Sequence, residues 1–355
     1  SNHAPNINAI LSRSLLRGVC VYRERMALMF GAWLESLGPE NERYTLVWWA
    51  ALALVSLVNI VAYLVLVLPA TSAQASNGGA AAAASYRSRM RWLAMPYVFG
   101  CALRATLPRI DVERTCMFDS WLSSTVVGRS VATVAELAFA AQLALAMAQL
   151  ASETAALTVS RNTSSRVQSA PSSKTATVVR LLSLLVFVAL CVAECASWLG
   201  VTTTNQWWHC IEESLWMGSA LLLMLASVLL LVSLRGATAS PSWRHSSGAV
   251  YLTRLLPLGF VYVLYMFYVD IPMYAERARQ STTPPLPFVA GVLDASHCHT
   301  VTRDFDAWYQ DLIWMSGYFS VCVWISMWLA YAPTLNHSSI LTSKNKNNNN
   351  NNKSQ

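Results

Sequence analysis

The sequence predicts an all-α fold, a polytopic transmembrane helical bundle of about seven spans, with six as the alternative count. Three observations carry this. Hydrophobic residues make up 55% of the 355-residue chain, more apolar surface than a soluble core of that size could hide. Charged residues are only 12%, roughly half the ~25% of soluble domains. Several apolar runs reach the ~20 residues that cross a hydrocarbon core. In that medium the backbone must satisfy its own hydrogen bonds, so the runs must be helices. The formal charge of +7 does not point to nucleic acid, because the Lys and Arg residues sit mostly between apolar runs, as membrane orientation requires.

Along the chain, residues 1–45 form an N-terminal segment. Within it Ile7, Ile10, Leu11, Leu15, Tyr22, Met26, Phe30 and Trp33 recur at helical steps, with Arg13, Arg17 and Arg23 off the stripe. That pattern predicts an amphipathic helix lying in the membrane interface. No acid precedes Glu24, so a mitochondrial targeting segment, and with it a mitochondrial inner membrane location, is the alternative.

The bundle occupies residues 46–333. Its long runs are Leu46–Leu68, Trp121–Leu150, Val178–Gly200, Trp207–Leu234, Leu252–Tyr274 and Trp308–Pro333. A seventh run, Trp92–Leu103, is short and spans only if Arg89 and Arg91 snorkel and Arg104 faces protein. In the third helix Ala132, Ala140, Ala144, Ala148 and Ser152 fall on a four-residue spacing interrupted only by Glu136, which lets neighbouring helices approach closely and places it at the centre. Residues 69–91 and 151–177 read as connectors. Residues 334–355 read as a disordered Lys/Asn-rich tail with nothing to bury. No internal repeat is visible.

Consecutive helices alternate direction, which defines two sides, X and Y. Side Y receives loops 69–91, 151–177 and 235–250 and the tail, holds slightly more Lys and Arg than side X, and has the single acid Glu153. The basic-residue rule then puts Y, and the C-terminal tail, on the cytoplasmic or matrix side. The sequons at Asn162 and Asn336 fall on Y and are expected to carry no glycan.

Ionisable residues inside spans are costly and mark candidate sites. Here they are Arg129, Glu136, Glu194, His209, Glu212, Glu213 and Asp270. The link Val201–Gln206 joins the fourth and fifth helices, with Glu194 nine residues before Thr203 and Glu212 nine after. The two carboxylates should lie at equal depth, about 10 Å in. His209 shares a helix face with Glu212 and Glu213, of which one should face Glu194. Arg129 enters from the same side, with Glu136 two turns deeper. Asp270 precedes Pro272, which removes a helix hydrogen bond to the Tyr268 carbonyl. With Asp294, Asp304, Asp306 and Asp311, these residues outline a polar funnel opening on side X. One arginine cannot neutralise five carboxylates, which suits proton exchange or cation binding, with interhelical links as the competing reading.

Other chemistries find little support. No Lys lies in a span, which excludes a retinal Schiff base, and His209 is the only span His, which speaks against bis-His haem. His297 and His299 flank Cys298 as a weak metal fragment. No CxxC pair indicates a disulfide scaffold or zinc ribbon. Ser120, Ser123 and Ser124 supply hydroxyls for a hydrolase, or more simply caps for the third helix. No phosphate-loop, HExxH or GxSxG motif occurs, and no cofactor follows from the residues. The partners implied are the lipid bilayer and a small solute or ion, not nucleic acid. Three functions stay open: a proton, cation or small-solute transporter, a lipid-modifying membrane enzyme, and a non-catalytic subunit of a membrane complex, alone or as an oligomer.

Overall fold

A computed structural model describes residues 40–69, 79–165, 171–237, 241–282 and 284–335. The amphipathic helix and the tail expected at the two ends, and the Asn336 sequon, lie outside the described residues. Among these, the elements are α1 (Glu40–Ala62), α2 (Gly79–Thr106), β1 (Arg109–Ile110), β2 (Thr115–Cys116), α3 (Thr125–Ser165), α4 (Pro171–Thr203), α5 (Trp207–Ala237), α6 (Ser247–Tyr265), α7 (Ile271–Gln280), α8 (Phe288–Asp294), β3 (Thr300–Val301), α9 (Phe305–Trp308), α10 (Leu312–Gly317) and α11 (Val323–Ala330). The protein is all-α, with six helical stretches long and apolar enough to cross a membrane: Glu40–Val67, Thr125–Val159, Lys174–Thr203, Trp207–Gly236, Ser247–Gln280 and Leu312–Ala330. The seventh candidate is α2, whose 28 residues are long enough to cross at about 1.5 Å per residue.

The chain forms two compact units. The smaller holds the described residues up to Ala51 together with Arg303–Leu312. Its aromatic rings meet as Tyr44 with Phe305, edge-on at 6.1 Å, and Trp48 with Trp308 at 6.4 Å. The larger runs Leu52–Thr302 and from Ile313 onward, and it contains the bundle described below.

Within that bundle α3 is central. In its apolar stretch 56% of residues are buried, against at most 33% in any other span. The reason differs from the expected stripe. Ala132 and Ala140 are buried, but Ala144, Ala148 and Ser152 are only partly so. The buried line instead runs through Ala135, Phe139, Gln142, Ala146, Leu150 and Thr154, steps of three and four that follow 3.6 residues per turn rather than a strict four.

Two expected connectors are largely helix. α3 continues to Ser165, and α2 begins at Gly79. Ser152, Thr154 and Thr158 donate their hydroxyls to the carbonyls four residues back, at 2.7, 2.7 and 3.0 Å. Hydroxyls satisfied in this way let a Ser/Thr-rich stretch stay helical. Three π turns interrupt the spans, at Tyr63–Val67, Met266–Asp270 and Tyr318–Cys322. The second lies just before Pro272, whose missing N–H already breaks the regular ladder.

Side X is covered by a small irregular cap. β2 pairs antiparallel with β1 and parallel with β3. A disulfide joins Cys116 to Cys298. This pairing has no local signature, since its cysteines lie 182 residues apart. Arg114, at φ 53°, is the knot of the cap. It donates to the Asp111 carbonyl at 2.6 Å, to the Val201 carbonyl at 2.8 Å and to Asp294 Oδ2 at 2.8 Å. α8 seats on the end of α4 through Gly291, where a Cβ would lie 1.6 Å from the Thr202 carbonyl oxygen. Leu286 N–H donates to the Thr203 carbonyl at 2.9 Å.

Candidate functional site: a buried carboxylate and arginine network

The α4–α5 hairpin turns at Thr204, which takes φ 56°. Asn205 N–H closes the turn on the Gly200 carbonyl at 3.2 Å. The link is as compact as the sequence requires, and Glu194 and Glu212 sit at matching depth. Both reach Arg129 of α3. Arg129 Nη2 lies 2.8 Å from Glu194 Oε2 and 2.6 Å from Glu136 Oε2, and its Nη1 lies 3.6 Å from Glu212 Oε1. One guanidinium therefore ties three helices together.

Each carboxylate has further partners. Glu136 Oε1 accepts from Arg104 of α2 at 3.0 Å and from the Tyr318 hydroxyl at 2.6 Å. Glu194 Oε2 accepts from Thr133 Oγ1 at 2.8 Å, and that hydroxyl accepts from Trp198 Nε1 at 3.0 Å. Glu212 Oε2 lies 2.6 Å from His209 Nδ1. The His209 ring stacks on Tyr274 at 5.1 Å. Its other edge faces Gly200, where a Cβ would stand 3.1 Å from Nε2. Arg104, Arg129, Glu136, Glu194, His209 and Glu212 are all buried.

Five of the seven sequence candidates thus converge: Arg129, Glu136, Glu194, His209 and Glu212. The other two stand aside from the hydrogen bonds of the network. Glu213, one position on from Glu212, turns to another face, and its foremost charged neighbour is Asp270. Asp270 is buried in the π turn and accepts from the Tyr265 hydroxyl at 3.1 Å. The expected open funnel is not found. The cap lies over the hairpin end, and the network is closed off from solvent.

Sequence reasoning missed Arg104, Tyr318 and Thr133 as members. Arg104 ends the short seventh run, where the sequence asks only that it face protein and names no partner, and Tyr318 is indistinguishable in sequence from the many aromatic residues at span ends.

The metal reading shifts as well. Cys298 is oxidised to the disulfide, His299 Nε2 pairs with Asp294 Oδ1 at 3.0 Å, and His297 Nδ1 meets Ser296 Oγ at 2.9 Å. Among the described residues, His297 and His299 join no group of three donors. The one such group is Glu136, Glu194 and Glu212, each offering an oxygen within 4.8 Å of the others. Arg129 already supplies positive charge there, and a metal ion would have to displace it from two hydrogen bonds.

Charge balance decides what the network can do. Three carboxylates face two guanidiniums, leaving one negative charge. A buried cluster resists net charge. One proton, on a carboxyl or on His209, restores neutrality. One carboxylate oxygen of the network, Glu194 Oε1, is buried with no hydrogen-bond partner among the described residues. Compared with protein families, curated proteins and solved structures, the chain shows no match.

Proposed function

We propose that this multi-pass membrane protein is a transporter that binds and releases a proton, or exchanges it for a small cation, at Glu194. The carrying observation is the unpartnered Glu194 Oε1 in a network one positive charge short of neutrality. His209 and Glu212, nearest the hairpin turn, serve as the relay toward side X, a role imidazole fills near neutral pH. Toward side Y the next polar step on α3 is Gln142. It donates to the Met90 carbonyl at 2.8 Å and accepts from Ser326 Oγ at 2.6 Å.

The orientation proposed is side X toward an oxidising compartment and side Y toward the cytosol or matrix. The Cys116–Cys298 bridge supports it, because disulfides persist where thiols are not kept reduced. The small excess of basic residues on Y agrees.

A second reading rests on Arg129, whose bonds to two carboxylates of different helices also suit a purely structural clasp in a subunit of a larger complex. Proteoliposomes carrying an internal pH dye separate the two. Wild-type protein is expected to collapse an imposed proton gradient, alone or with a cation. Glu194→Gln should lower that rate at least tenfold while eluting as the wild type does. Equal rates in both, or no flux above empty vesicles from well-folded protein, would leave the clasp reading standing.

A further inference from the structure

The α2–α3 connection carries a second buried charge cluster, separate from the carboxylates. Arg109 begins β1, and its side chain is only 3% exposed. Nε lies 3.2 Å from Asp111 Oδ1, yet Nε, Nη1 and Nη2 make no hydrogen bond among the described residues. The guanidinium packs against Gly128 in the first turn of α3. A Cβ built on Gly128 would fall 1.5 Å from its Cζ and 1.6 Å from Nη2, so only glycine leaves that space.

Gly128 N–H donates to the Ser124 carbonyl at 3.0 Å, so Ser124 begins the helix and shares a face with Gly128 one turn on. The hydroxyls of Ser123 and Ser124 are also buried and lack partners. The start of this 41-residue helix carries partial positive charge. Two positive elements and two free hydroxyls are therefore packed together, with Asp111 the acid beside them on the Nε edge. Burial, against the opposing pull of Asp111 and with Arg104 and Arg129 adding like charge, pushes the Arg109 pKa down to about 10. Asp111 Oδ1 is likewise buried without a hydrogen bond, but it stands on the Nε edge, and leaving Nη1, Nη2 and the two hydroxyls unsatisfied is costly.

We propose that the start of α3 binds a small anion of halide size, held by the Nη edge of Arg109 and the Ser123 and Ser124 hydroxyls. Its closure from solvent favours a single ion over a phosphate group. The inference is independent of proton transport. Its role is to satisfy the Nη edge of Arg109, whose Nε edge already faces Asp111.

The test is thermal unfolding of the purified full-length protein in sodium chloride, bromide or gluconate at constant ionic strength. Chloride and bromide are expected to raise the melting temperature saturably over gluconate. Arg109→Gln should raise the half-saturating concentration at least tenfold, and Ser124→Ala should raise it less. Equal melting in gluconate and halide, an unchanged response in Arg109→Gln, or an equal response to sulfate and phosphate would overturn the proposal. Should Arg109→Gln fail to fold, bromide-soaked wild-type crystals decide. An anomalous peak within hydrogen-bond distance of Ser124 Oγ supports the site, and its absence there overturns it.

Discussion

Replacing Arg129 by Met removes the one group that joins α3, α4 and α5. The magnitude follows from its bonds. Two charge-assisted hydrogen bonds, at 2.6 and 2.8 Å, are lost at about 1.5–3 kcal/mol each. Independently, stripping one partner from a buried ion pair costs about 3–5 kcal/mol, because the opposite charges stay buried. The first route gives about 3–6 kcal/mol and the second about 3–5 kcal/mol, so a loss of about 3–5 kcal/mol is expected. Most of that penalty belongs to the abandoned carboxylates, so adding Glu136→Gln and Glu194→Gln to Arg129→Met should recover more than half of it. These sites touch, and their effects should be far from additive. Reversible denaturant titration in mixed micelles reads the three free energies. A loss below about 1 kcal/mol in Arg129→Met would refute the reasoning, as would a combined variant no more stable than the single one.

Three more expectations follow from the contacts. Tyr318→Phe removes one of two donors to Glu136 Oε1 and should cost about 1.5–3 kcal/mol in the same titration, with Arg104 keeping the carboxylate paired. Gly291→Ala drives a methyl into the Thr202 carbonyl and should destabilise the cap by about 1–3 kcal/mol. Gly218→Ala, with nothing within 4 Å, should be neutral or better in parallel melts. Reducing the Cys116–Cys298 bridge should cost about 2–5 kcal/mol. In sealed vesicles it should expose thiols to an impermeant maleimide from one side only, and labelling from the side that holds the C-terminus would refute the placement of bridge and tail on opposite faces.

The spans and the depth of the Glu194–Glu212 pair were legible because both depend on local counting: run length, and equal spacing about a short turn. Choosing between Glu212 and Glu213 was not, because a 100° step says only that one faces inward. Arg104 escaped because α2 draws its length from Ser85, Arg87, Arg89 and Arg91, residues that read as a connector, and no window over it is apolar enough to register as a span. The cap escaped for a different reason. Its strands have two residues each, too few for periodicity, and its covalent link joins positions that only the folded chain brings near. The long α3 was underestimated because polarity was read as an end of helix, where hydroxyl back-bonding keeps the helix going.

The cystine has a mechanical meaning beyond the compartment it implies. It closes a covalent ring whose circumference includes α3, α4, α5 and α6, drawn shut at the hairpin end. The bond ties the segment that enters α3 to the loop that follows α8, so these two parts of the cap cannot part without cleaving it. Within the ring the Met266–Asp270 π turn is the place where a span can bend.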